Sequence, residues 1–93
     1  MSPADVCDRV AEIIRERGDL HGDWRRNMIQ TGALWSRYKS IRFTPADVAV
    51  FNCLQKISRA SSGGLPNFDD YIDLVGYAAI ATALISEEIE EEE

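Results

Sequence analysis

Two nearly identical segments constrain the fold of this chain more than any other feature of its sequence. Residues 2–6 read SPADV and residues 44–48 read TPADV. In each, a hydroxyl residue can accept a hydrogen bond from the free backbone N–H groups of a helix start. Proline suits the first helical position, and the acid two residues later faces the positive end of the helix dipole. Both segments therefore predict the start of an α-helix.

Apolar residues at helical spacing extend this prediction to the whole chain. Val6, Val10 and Ile13 follow the first start signal, and Val48, Phe51 and Leu54 follow the second. A second helix is predicted to start at Gly22 or Asp23, and a fourth to follow the loop at residues 61–67. Trp24, Trp35 and Tyr38 have helical spacing in the second helix and are expected in the core. No alternation of useful length favours a strand. Because short connections favour antiparallel neighbours, we predict an all-α, four-helix up-down-up-down bundle.

The acidic charge of the chain is concentrated in its C-terminal tail. The formal net charge is −6, and residues 87–93 hold six of the sixteen Asp and Glu side chains. The remaining ten acids balance the ten Lys and Arg residues. Because the tail lies at the negative end of the last helix dipole, it is expected to fray. The sequence thus predicts one helical domain at residues 1–86 and a frayed acidic tail at residues 87–93.

Composition and length exclude several classes of protein. No apolar run approaches the roughly 18 residues that span a bilayer, and the N-terminus does not resemble a secretory signal. Cys7 and Cys53 are interpreted as reduced core residues, which favours a cytoplasmic protein without a membrane partner. The overall acidity of the chain counts against a broad nucleic-acid-binding surface, although it does not rule out a phosphate-bearing partner. A chain this short gains stability from self-association, so a homo-oligomer is expected.

The predicted topology brings polar residues from all four helices to one end of the bundle. The end of helix one and the start of helix two share that end with the end of helix three and the start of helix four. The residues expected there are His21, Asn27, Lys56, Arg59, Asp70 and Asp73.

Lys56 and Arg59 lie three residues apart, on one face of helix three near its C-terminus. One interpretation is that they stabilise the negative helix end and pair with Asp70 or Asp73. The other is a phosphate clamp, in which arginine supplies a planar fork and lysine a point charge. The sequence leaves both interpretations open.

Asp70 and Asp73 have the same spacing on helix four, and Tyr77 lies one turn further along their stripe. Two carboxylates at this spacing can share a Mg²⁺ ion, which prefers hard oxygen ligands and retains waters for substrate phosphates. Structural salt bridges are the alternative. His21 and Asn27 are likewise either capping and packing residues or groups that position a substrate.

A set of residues in fixed order carries a resemblance: His21-Gly22-x-x-x-x-Asn27, Trp35, Asp47-Val48, Lys56-x-x-Arg59 and Asp70-x-x-Asp73-x-x-Gly76-Tyr77-Ala78. From about residue 6 to residue 85, the chain resembles a family of short phage and prophage proteins of unassigned function. That family is in turn distantly similar to the MazG-like all-α nucleoside triphosphate pyrophosphohydrolases. Membership of a phage family would place the protein in the host cell cytoplasm.

The MazG-like resemblance implies a Mg²⁺-dependent enzyme that cleaves a nucleoside triphosphate to the monophosphate and pyrophosphate. Asp70 and Asp73 match one acidic pair of that family, with Asp in place of Glu. The second pair is absent from helix two, and Glu16 on helix one is the possible substitute. Asp70, Asp73 and Glu16 would then hold the metal, with Asp70, Asp73 and Lys56 as catalytic residues.

In the same reading, the substrate is a nucleotide or a nucleotide-derived small molecule. The residues expected to bind it are His21, Asn27, Lys56, Arg59 and Tyr77. Two alternatives to the enzyme remain at this point: a non-catalytic protein that sequesters a nucleotide, and a protein-interaction module whose polar end is only a salt-bridge network.

Overall fold

The computed structural model describes residues 1–21 and 23–92, and this part of the chain folds into four α-helices without a strand. The helices are α1 (Pro3–His21), α2 (Trp24–Lys39), α3 (Pro45–Ser61) and α4 (Phe68–Glu92). The all-α prediction is confirmed. Among the described residues, no helix is both long and apolar enough to cross a membrane.

The two start signals form the same capping arrangement. The Ser2 hydroxyl accepts a hydrogen bond from the Asp5 amide at 3.1 Å, and the Asp5 carboxylate accepts one from the Ser2 amide at 2.9 Å. Thr44 and Asp47 repeat these two bonds at 3.1 and 2.9 Å. Each pair satisfies backbone donors that a helix start leaves free, which is why the chain enters α1 and α3 at these residues.

Helices α3 and α4 pack against each other as an antiparallel pair and form the centre of the fold. Residues near both ends of α3 show this antiparallel orientation. Ala49 belongs to the same core cluster as Ala81, and Lys56 lies beside Asp70. Helix α1 packs mainly on α4, and α2 packs mainly on α3. The buried cluster between the helices consists of Met28, Ala46, Val48, Ala49, Ala81 and Leu84.

Gly32 allows α2 to lie close to the start of α3. A Cβ atom at this position would lie 3.1 Å from the carbonyl oxygen of Phe43 and 3.4 Å from a methyl carbon of Val48. The Ser36 hydroxyl adds a hydrogen bond from the Phe43 amide, at 2.8 Å. The absence of a side chain at residue 32 therefore fixes how closely α2 and α3 approach.

The prediction that the acidic tail frays is wrong for the described residues, because α4 continues through Glu92. Arg25, near the start of α2, forms a hydrogen-bonded ion pair with Glu87. This contact ties the first tail residue to the bundle, and glutamate has a good intrinsic helix propensity. Helix α4 is thus continuous through residue 87.

Two other expectations from the sequence differ from the structure. Cys7 is exposed on α1, whereas Cys53 is partly buried and its sulfur lies 3.8 Å from the Leu74 carbonyl oxygen. Burial raises the pKa of the Cys53 thiol. Tyr38, which follows the aromatic spacing of α2, is 82% exposed. Apolar spacing alone does not show that Cys7 and Tyr38 are exposed. Each lies near the end of an apolar stripe, on α1 and α2 respectively, whose other residues are buried more deeply.

Candidate functional site

A cavity of about 410 Å³ lies between α1, α2 and α4. Its walls are mostly apolar, with two aromatic side chains, Trp24 and Tyr77. Val10 on α1 and Ile72 on α4 form part of its floor and are nearly fully buried. The residues around it are Val10, Ile13, Ile14, Arg17, Gly18, Asp23, Trp24, Asn27, Met28, Ile72, Asp73, Gly76, Tyr77 and Ile80.

Polar groups reach this cavity from three helices. Arg17 comes from the end of α1, Asn27 from the first turns of α2, and Asp73 from α4. Asp23 is already engaged, because its carboxylate accepts a hydrogen bond from the Arg25 amide at 2.9 Å and so caps α2. The cavity therefore combines an apolar interior with a polar edge.

An ion-pair network lies directly beside this edge. The Lys56 ammonium is 2.9 Å from Asp73 Oδ2 and 3.9 Å from Asp70 Oδ1. Arg17 Nη2 lies 3.6 Å from Asp73 Oδ1, and Arg59 Nε lies 3.6 Å from Asp70 Oδ1. Each carboxylate is thus shared by two cations, and Lys56 joins the two halves of the network.

The members of the network differ in their exposure to solvent. The side chains of Asp70 and Lys56 are only 9% and 14% exposed, whereas those of Arg17 and Arg59 are 59% and 61% exposed. The inner pair, Lys56 and Asp70, therefore lies in a low-dielectric environment, where either charge would be strongly destabilising without the other. The outer arginines are solvated and their pairs are long, so they can turn towards another anion at small cost.

The network has a direct bearing on the predicted Mg²⁺ site. Asp70 and Asp73 supply the hard oxygen atoms that Mg²⁺ prefers, but the Lys56 ammonium occupies the point that both carboxylates face. Among the described side chains, which leave out those of residues 19–22, 92 and 93, no group of three or more from His, Cys, Asp and Glu is arranged to hold a metal ion. In this arrangement the two aspartates do not fit a shared ion unless Lys56 moves away.

The predicted site residues fall into distinct groups. Asn27, Asp73 and Tyr77 line the cavity. Lys56, Arg59 and Asp70 belong to the adjacent network, with Asp73 as the link.

Glu16 and His21 are the two remaining predicted residues. Glu16 is exposed on α1 and belongs neither to the cavity lining nor to the ion-pair network. The His21 backbone ends α1, but its side chain and Gly22 lie outside the described part of the chain. The shared end of the bundle therefore brings together the lysine, arginine, asparagine and aspartates, and Asp73 is the residue common to both groups.

Arg17 and Trp24 are the site residues that the sequence interpretation missed. Arg17 lies one turn after Ile13 and Ile14 on the stripe that begins at Val10, so its spacing placed it beside the apolar surface. Trp24 was assigned to the core, and it does contact the core cluster while its ring also lines the cavity. The guanidinium carbon of Arg25 lies 4.8 Å from the centroid of that ring.

The Arg25–Glu87 pair fixes this arginine beside Trp24. Its hydrogen bond to the Glu87 carboxylate raises the pKa of Arg25, and the same bond lowers the pKa of Glu87. Arg25 is therefore held by the tail, whereas Arg17 lines the cavity and has only the longer, solvent-exposed pair with Asp73.

Comparisons with known proteins place the chain in a family. Residues 5–85 match the model of a domain of unknown function, DUF6378. The Gene 55 protein of Mycobacterium phage L5 is 39% identical over 77 residues, which cover 81% of this chain and 49% of that protein. The chain thus spans about half the length of this curated relative. No solved structure gives a significant match. Because the family model covers most of the sequence, this chain belongs to the DUF6378 family.

Proposed function

We propose that the protein binds a nucleotide, with the base in the cavity between α1, α2 and α4 and the phosphates at its polar edge. The supporting observation is the position of Asp73, whose carboxylate lines an apolar, aromatic cavity while holding two cations, Arg17 and Lys56. A ligand that uses both the apolar cavity and the adjacent cations must have an apolar part and an anionic part. A nucleotide has a flat, largely apolar base at one end and a strong anion at the other.

The cavity suits the base in size and chemistry. Its volume of about 410 Å³ lies within the range of roughly 300–1,000 Å³ that is usual for small-molecule sites. Trp24 and Tyr77 offer aromatic surfaces, and stacking of a base on such a side chain contributes roughly 1–3 kcal/mol. The Asn27 amide lines the same cavity and can donate to and accept from the base edge.

The network supplies the cations for the phosphates. Arg17 is solvated and only loosely paired with Asp73, so its planar guanidinium can exchange that carboxylate for a phosphate. Lys56 lies on the other side of Asp73 and adds a positive charge nearby. Arg59 extends the positive charge outward along α3. In this proposal Asp73 competes with the ligand, because it neutralises the cations that the phosphate would use.

Mg²⁺-dependent pyrophosphohydrolysis, as in the MazG-like enzymes, is the second candidate. The observation that favours it is that Asp70 and Asp73 both direct an oxygen atom towards one point, now taken by Lys56. The present arrangement favours binding over hydrolysis, because that point already holds a cation. The two candidates make opposite predictions for the role of the Asp73 carboxylate.

A thermal-shift panel of ribo- and deoxynucleoside mono-, di- and triphosphates, each with excess Mg²⁺ and with EDTA, tests the binding proposal. We expect at least one nucleotide to raise the melting temperature equally under both conditions. A Trp35→Phe variant leaves Trp24 as the single tryptophan, and the same nucleotide should quench its fluorescence. A panel without any shift, at concentrations up to about 1 mM, would rule out nucleotide affinity in the useful range.

An Asp73→Asn variant then separates binding from hydrolysis. If the protein only binds, the affinity for the nucleotide should rise by about threefold or more, because removal of the carboxylate frees Arg17 and Lys56. If the protein is a hydrolase, Mg²⁺-dependent pyrophosphate release by the native chain should be abolished in the variant. Asp69→Asn, an exposed substitution one turn earlier on α4, is the matched control and should change neither property.

A further inference from the structure

Helices α3 and α4 form a layer that α1 and α2 cover on one side only. On α3, Val48 faces α2 beside Gly32, and Ala49 is fully buried. On α4, Asp73 and Gly76 face Arg17 and Val10 of α1. Because successive helix residues are turned by about 100°, a third direction on both helices points away from α1 and α2.

Apolar residues, with Thr82 as the one polar exception, occupy this third direction along the whole layer. They recur at intervals of four and three residues, which is the spacing of helices that pack side by side in a bundle. We call these residues the outer face: Val50, Leu54 and Ile57 on α3, and Tyr71, Val75, Ala78, Thr82, Ile85 and Ile89 on α4.

The outer face is open to solvent. Its large apolar side chains, Val75 apart, are between 44% and 53% exposed, whereas a core residue such as Val48 is 1% exposed. Single exposed apolar residues are ordinary on protein surfaces, but a continuous stripe on two adjacent helices marks an interaction surface.

Charge identifies the partner of this surface. Between Tyr71 and Ser86 the only charged residue of α4 is Asp73, and between Val48 and Ser58 the only one of α3 is Lys56. These two residues pair with each other on the opposite side of the layer. The outer face is therefore uncharged, although the chain has a net charge of −6. The other surfaces carry charged side chains of both signs, whereas a second copy that docks on this face buries no charged side chain of the outer face.

The area also suits a second copy. Burial of the outer face would remove on the order of 600 Å² of apolar surface per copy, against the about 800 Å² per partner of a standard stable interface. Ala78 and Thr82, at the middle of the α4 stripe, are small enough for two α4 helices to cross closely.

We propose that two copies of this chain associate through their outer faces about a twofold axis, so that α3 and α4 of both copies form a central four-helix bundle. The same residues meet on both sides of such an axis, and an uncharged apolar face is complementary to itself. Helices α1 and α2 then lie outside the dimer, and the cavity between α1, α2 and α4 stays accessible in each copy.

Sedimentation equilibrium or light scattering coupled to gel filtration tests this proposal directly. We expect the native chain to show about twice its mass of 10.4 kDa at micromolar concentration. Leu54→Glu should weaken association by at least about 100-fold, because the symmetry places two unpaired carboxylates in the interface. Circular dichroism should show that the variant remains helical, since residue 54 is half exposed within one chain.

Leu34→Glu is the matched control, because Leu34 is 66% exposed on α2, away from the outer face. This variant should remain dimeric. A native chain that stays monomeric at about 100 µM would overturn the proposal, since a dimer with a surface of this size should form well below that concentration. A dimer that responds equally to both substitutions would also overturn it, because association would then use another surface.

Discussion

The Lys56 ammonium lies 2.9 Å from one carboxylate oxygen of Asp73 and 3.9 Å from one of Asp70, and it is the contact that lets both aspartates stay on the inner side of α4. Two carboxylates three residues apart on a helix repel each other, and Asp70 is almost fully enclosed. A shared cation offsets this repulsion. The same contact sets the charge available to a ligand at the neighbouring cavity.

Lys56→Met should lower the free energy of unfolding by about 2 kcal/mol, measured by urea denaturation, because it leaves two partly buried carboxylates without their common partner. Lys39→Met, at the exposed end of α2, is the matched control and should stay within about 0.5 kcal/mol of the native chain. Adding Asp70→Asn and Asp73→Asn to Lys56→Met should recover most of the loss. Equal effects of the two lysine substitutions would contradict the role given to Lys56.

Gly32→Ala should destabilise the protein by about 1 kcal/mol, although alanine is the better helix former. The new Cβ would lie 3.1 Å from a backbone oxygen of Phe43, which has little freedom to move, and overpacking of this kind costs roughly 1–3 kcal/mol. Gly18→Ala provides the comparison, because a Cβ there meets nothing within 4 Å. That substitution should stabilise the protein by about 0.5–1 kcal/mol. Thermal unfolding of both variants gives the test, and two changes of the same sign would refute the close approach of α2 and α3.

Thr44→Ala should cost about 1 kcal/mol, because it removes the hydroxyl that accepts from the Asp47 amide at the start of α3. Ser2→Ala removes the equivalent bond in α1 and should cost less, since the Ser2 cap is exposed, whereas the Thr44 cap is partly buried. Chemical denaturation measures both losses. Equal losses would contradict this prediction, because the free energy of unfolding would then depend only on the local capping geometry and not on the position of the cap in the fold.

Acidification should remove the stabilising effect of the Arg25–Glu87 pair. The pKa of Glu87 is lower in the folded protein than in the unfolded chain, because its carboxylate accepts hydrogen bonds from Arg25. A lowered carboxylate pKa stabilises the fold above the unfolded pKa of about 4.3, and this contribution is lost as the pH falls through the folded pKa. The melting temperature of the native chain should therefore exceed that of Glu87→Gln at pH 7, and the difference should disappear in acid.

The same pair accounts for the helical tail, so Arg25→Gln should loosen it. Amide hydrogen exchange of residues 87–91 should become faster in this variant, whereas the exchange of residues 77–81 in the middle of α4 should not change. Unchanged exchange at residues 87–91 would mean that helix propensity alone keeps the tail helical.

Local signals in the sequence predicted much of the fold, because they act within a few residues. The caps at Ser2 and Thr44 need only their own helix turn, and both formed as expected. The approach of Lys56 to Asp70 followed from the direction of the helices, which short loops restrict. Predictions based on a single stripe were weaker. Tyr38 continues the apolar stripe of α2, but it lies in the last turn of that helix and its side chain is exposed.

The features that escaped prediction depend on contacts between distant residues. Arg25 and Glu87 are 62 positions apart, and nothing near either residue indicates their pairing. The cavity requires the relative spacing of three helices, which apolar periodicity does not specify. The sequence predicts only part of its polar edge: Asp73 and Asn27 are expected at the shared end of the bundle, whereas Arg17 is not.

The packing of α1 on α4 implies an order of events during synthesis of the chain. Val10 is buried beside Gly76, so α1 leaves the ribosome before the segment of α4 that buries it has been made. At about 5–20 residues per second, that interval lasts roughly 3 to 13 s. During this time the apolar stripe of α1 is not covered by α4. A ribosome that stops before α4 therefore releases a chain without the cavity.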